Sequence, residues 1–84
     1  MTQDEVKRRS MRAKAFMASD AYKEVMADFR ARQVDVFLNS GPTQLEDRED
    51  AHAMVRALNL FEQILQADVD AGKMIDRKEE RDRG

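Results

Sequence analysis

Asn39-Ser40-Gly41-Pro42-Thr43-Gln44-Leu45-Glu46 separates two long stretches of helical apolar periodicity, so its reading decides the fold. Glycine commonly ends helices, and Pro42 cannot extend a preceding helix because it lacks an amide and crowds the previous turn. Thr43 and Glu46 then have the spacing of a capping box, which predicts a second helix starting at about residue 43. One tight reversal between two helices is expected here. The same Thr-x-x-Glu spacing at Thr2 and Glu5 predicts a helix start near residue 3. Gly72, following Val69-Asp70-Ala71, predicts that the second long helix ends or frays near residue 71, leaving 76–84 as a charged, solvated tail.

Ser19-Asp20 marks a second break, since both residue types favour caps over helix interiors. The expected architecture is all-α: an antiparallel two-helix hairpin whose first helix is kinked or broken, the segment before Ser19 also being readable as a third short N-terminal helix. Helices are expected over about 3–18, 20–39 and 43–71, within a single helical domain over 1–75. After the break, Tyr22, Val25, Met26, Phe29 and Phe37 share one helical face. They are expected to hold the hairpin together with Met54, Leu58, Phe61 and Leu65.

The segment after Pro42 carries two apolar stripes rather than one. Ala51, Met54, Leu58, Phe61 and Leu65 form the first, and Ala53, Ala57, Leu60, Ile64 and Ala67 belong to a neighbouring one. A hairpin partner covers little more than about 100° of a helix, so the second stripe is left for something else. Ala53, Ala57, Leu60, Ile64 and Ala67 are therefore the expected partner interface. The competing expectation is that the basic segment before Ser19 folds back and covers that stripe.

Composition removes most site chemistry. The 84 residues include no cysteine and no tryptophan, and His52 is the one histidine. Disulfide scaffolds, zinc fingers and thiol enzymes are excluded. Charged residues make up 38% of the chain but the net charge is only −2, too small for a global steering field. Thr2-Gln3-Asp4-Glu5 does not open a secretory signal, and no apolar run reaches the roughly 18 residues of a membrane span. The expected location is the cytoplasm, with no cofactor, metal, membrane or small-molecule substrate.

Lys7, Arg8, Arg9, Arg12 and Lys14 form the one basic cluster and are the candidate phosphate contacts of an alternative, nucleic-acid-binding reading. They spread around the helix, without aromatic residues interleaved for base stacking. Asp4 with Arg8 and Glu5 with Arg9 also have the spacing for local pairing. Glu46, Asp47, Glu49 and Asp50 suit a helix start, where carboxylates meet the positive end of the dipole. His52, flanked by Arg48 and Arg56 one turn away, reads as a surface residue. No catalytic residue is expected, and the chain is read as a non-enzyme.

The stretches Phe16-Met17-Ala18-Ser19-Asp20-Ala21-Tyr22-Lys23-Glu24-Val25 and Arg48-Glu49-Asp50-Ala51-His52-Ala53-Met54-Val55-Arg56-Ala57-Leu58 resemble short helical proteins of tailed bacteriophages, of the kind encoded among packaging and head-assembly genes. The resemblance implies a virion or assembly component in the host cytoplasm or the virion, binding itself or a portal, capsid or tail protein. Two alternatives stand beside it: the nucleic-acid-binding packaging or regulatory subunit, and a small inhibitor of a host enzyme.

Overall fold

A computed structural model describes residues 1–84. The chain is all-helical, with α1 at Gln3–Ala18, α2 at Asp20–Asn39 and α3 at Leu45–Arg83. Three helices replace the expected two-helix hairpin with a kinked first member, because the Ser19 break is complete. Ser19 is extended at φ −70°, ψ 141°, its amide donates to Phe16 O at 3.1 Å and its hydroxyl donates to the same carbonyl at 2.7 Å. At the other end of α1, the Thr2 hydroxyl accepts from Glu5 N at 3.2 Å. This satisfies one of the amides that a helix start leaves without an internal partner.

The stop after α2 is made by side chains and Pro42 rather than by a left-handed glycine, since Gly41 has no positive φ. Asn39 Nδ2 donates to Asp35 O at 3.0 Å, and the Ser40 hydroxyl donates to Val36 O, so two terminal carbonyls find partners. The expected start of α3 at Thr43 moves to Leu45. Gln44 is responsible: its Oε1 accepts from Gly41 N at 2.8 Å and its carbonyl accepts from Arg48 N at 3.2 Å. Thr43 sits in the turn instead.

The expected end of α3 near residue 71 is also corrected, because the helix continues through Gly72 to Arg83, and the charged tail forms its last turns. Arg81 and Arg83 lie in the final turn, where cations oppose the negative end of the dipole. Glu79 precedes Arg83 by one turn in the favourable acid-first order.

The helices form two packing units. One comprises Met1–Ser19 with Gln63–Gly84, the other Asp20–Glu62. In the first, Ala13, Val69 and Gly72 are buried, and the Ser10 hydroxyl donates to Val69 O at 3.2 Å. A Cβ placed on Gly72 would overlap both Oγ and Cβ of Ser10. Gly72 is therefore a contact point that lets α1 lie close against α3, and not a helix terminator.

In the second unit, Tyr22, Met26 and Ala51 are buried, with Val55, Leu58 and Glu62 partly covered. Arg30 Nη1 donates to Asn59 Oδ1 at 2.7 Å, and Arg30 Nη2 lies 2.9 Å from Glu62 Oε1. Near the turn, Arg48 Cζ stands 4.9 Å from the Phe37 ring centroid. The expected hairpin core is thus corrected in part. Val25 is 60% exposed, and Phe29, Phe37, Met54 and Phe61 also remain substantially open to solvent. The covered face of α3 is turned toward Val55 and Glu62, away from Met54 and Phe61, and Arg30 pairs with Glu62 on that side.

Gly72→Ala tests the close approach of α1. Alanine improves intrinsic helix propensity by about 1 kcal/mol, whereas forced overpacking costs about 1–3 kcal/mol. Chemical denaturation is expected to show net destabilisation, and a more stable variant would contradict the Ser10–Gly72 contact.

Candidate interaction surface

Helix α3 is long enough to present several faces, and its composition decides which of them stay wet. Ala53, Ala57, Leu60, Ile64 and Ala67 are all exposed, Leu60 by 57% and Ile64 by 54%. The basic segment does fold back onto α3 as a helix, but it meets α3 at Val69, Gly72 and Glu79, and the five-residue stripe it was expected to cover stays open. Replacing water by apolar contact along such a stripe is favourable at about 25 cal/mol per Å².

No large side chain is fully buried in the isolated chain. Leu60, Ile64 and several other large apolar side chains stay substantially exposed.

The basic cluster is distributed rather than focused. Lys7 is engaged by Glu79, Nζ to Oε1 at 2.5 Å, while Arg8, Arg9, Arg12 and Lys14 are exposed. The hydrogen bond with Glu79 raises the Lys7 pKa, and the same bond with Lys7 holds the Glu79 carboxyl below its ordinary range. Desolvation opposes both shifts without reversing them. His52 is exposed, with its ring 6.5 Å from that of Phe37. No group of three or more histidine, cysteine or acidic side chains converges as a metal site, Glu46, Asp47, Glu49 and Asp50 included. No helix is long and apolar enough to cross a membrane.

Tyr22 gives the second unit a spectroscopic reporter, being the one tyrosine in a chain without tryptophan. Burial pushes its pKa up, Glu62 adds to the rise, and Arg30 works against it.

No family model, curated protein or solved structure matches the chain. The interaction reading therefore rests on the chain's own surface.

Two titrations check these electrostatics. Arg30→Met is expected to move the tyrosinate absorbance midpoint upward and Glu62→Gln downward; shifts of the same sign would contradict the Arg30–Glu62–Tyr22 arrangement. In the first unit, the lowered Glu79 pKa contributes stability above the ordinary carboxylate range that is lost as pH falls through its folded value. The raised Lys7 pKa contributes stability below the ordinary lysine range that is lost as pH rises through its folded value. Cooling of the thermal midpoint between pH 6 and about pH 3 should accordingly be smaller in Glu79→Gln than in the wild type. Equal cooling would contradict the pair.

Proposed function

We propose that this chain is a non-enzymatic assembly protein of a tailed bacteriophage, acting by surface complementarity through the α3 stripe. It associates with itself or docks on a larger virion protein of the portal, capsid or tail. The phage setting rests on the resemblance carried by residues 16–25 and 48–58. The mode of action rests on one observation: Leu60 and Ile64, the largest residues of the stripe, remain more than half exposed. Exposed apolar patches of this kind mark interaction sites on soluble proteins. In this reading the helices serve as a scaffold that presents α3, and no reacting group is needed.

Light scattering across concentration, with circular dichroism on the same samples, tests the reading. The wild type is expected to exceed its monomer mass of 9.7 kDa. A Leu60→Glu/Ile64→Glu variant is expected to keep its helicity and fall back to that mass, because burying two new carboxylates in an apolar contact is strongly unfavourable. Identical masses for the two chains would sink the assignment of this face.

A further inference from the structure

The α3 stripe extends past the five residues already described. Taken in alternating steps of four and three, it runs Ala53, Ala57, Leu60, Ile64, Ala67, Ala71 and Met74. That alternation is the seam of a coiled coil, which keeps one face toward a partner helix over many turns. Met74 is 69% exposed and Ala71 partly covered. One and two steps before the apolar run stand Asp50 and Glu46, and one and two steps after it stand Lys78 and Arg81, all four exposed. The order belongs to a single uninterrupted helix. The seam is acidic at one end, apolar along its middle and basic at the other.

Such an order is complementary to its own reverse. A parallel copy would set Asp50 against Asp50 and Lys78 against Lys78, placing like charges together at both ends. An antiparallel copy, related by a two-fold axis at about Ile64, sets Asp50 against Lys78 of the second copy and Glu46 against its Arg81. The apolar positions then also match in size. To within one residue of register, Leu60 lies opposite Ala67, Ala57 opposite Ala71 and Ala53 opposite Met74, with Ile64 next to its own copy at the axis. Small residues facing large ones are how helix surfaces interdigitate at close distance. A straight helix drifts by about 20° per heptad from such a seam, so the two copies would wrap gently in a left-handed sense.

Resting on the association reading above, we propose that the occupant of the α3 stripe is a second copy of this chain, bound antiparallel in this register. A partner of unrelated sequence could cover the apolar run, but it would not require the charges at the two ends to complement each other. A two-fold contact uses the same patch on both copies and closes on itself.

The full chain has no cysteine, which makes single-cysteine crosslinking clean. Ile64→Cys is expected to form a disulfide with its own copy under mild oxidation. Ala53→Cys is expected not to crosslink alone but to do so when mixed with Met74→Cys. In sedimentation measurements, Asp50→Lys and Lys78→Asp should each weaken the dimer about tenfold, since each sets like charges together twice per dimer. The two combined should return it to within about twofold of the wild type. Ala53→Cys crosslinking to itself, or charge swaps whose losses add instead of cancelling, would overturn the antiparallel register and leave the association reading standing. A wild type that remains a monomer at every concentration overturns self-pairing itself, and an unaffected Leu60→Glu/Ile64→Glu variant overturns the underlying choice of face.

Discussion

The molecule is governed by a mismatch of circumference: α3 carries more apolar surface around its axis than the helices packed on it can shield. In the Asp20–Glu62 unit, α2 covers the side bearing Ala51, Val55, Leu58 and Glu62. In the other unit, α1 covers Val69 and Gly72. Neither contact takes up the stripe of Leu60 and Ile64, which stays open to solvent. Hydrophobic gain scales with area removed from water, so covering this stripe would be favourable.

Each unit carries one ion pair between its helices. Lys7–Glu79 and Arg30–Glu62 join helices distant in sequence, but their side chains are partly solvated, and such pairs contribute modestly. Arg30 bonds Asn59 and Glu62 on the face of α3 turned toward α2, Met54 and Phe61 lie on the open side, and the Ser10–Gly72 approach sets how close α1 comes to α3. The stripe stays free because these contacts select other faces.

Features set by local chemistry were legible in the chain, and those set by distant partners were not. The all-helical class and the breaks at Ser19 and around Pro42 follow from caps and breakers acting within a few residues. Thr43 misleads because Gln44, one residue on, makes the side-chain bond back to Gly41 and accepts the first helical bond through its carbonyl. Gly72 misleads more deeply, since its reason for being glycine is Ser10, far away in sequence. Helical continuation to Arg83 follows from Glu79 meeting Lys7 and from arginines in the last turn, neither visible in the local glycine signal. Val25 shares a wheel face with Tyr22 and Met26, yet periodicity alone cannot say how far around a face a single neighbouring helix will reach. The exposed stripe was readable because it needs only the spacing of Ala53, Ala57, Leu60, Ile64 and Ala67 on one helix.

The central claim is that water leaves the Leu60–Ile64 face when chains meet. Methyl NMR with a soluble paramagnetic agent, recorded from low to high protein concentration, measures this directly. Leu38, 72% exposed and outside the seam, serves as the wet reference. The account predicts that Leu60 and Ile64 methyls become protected as concentration rises while Leu38 stays attenuated. Leu60 and Ile64 signals that remain as attenuated as Leu38 at every concentration would contradict it.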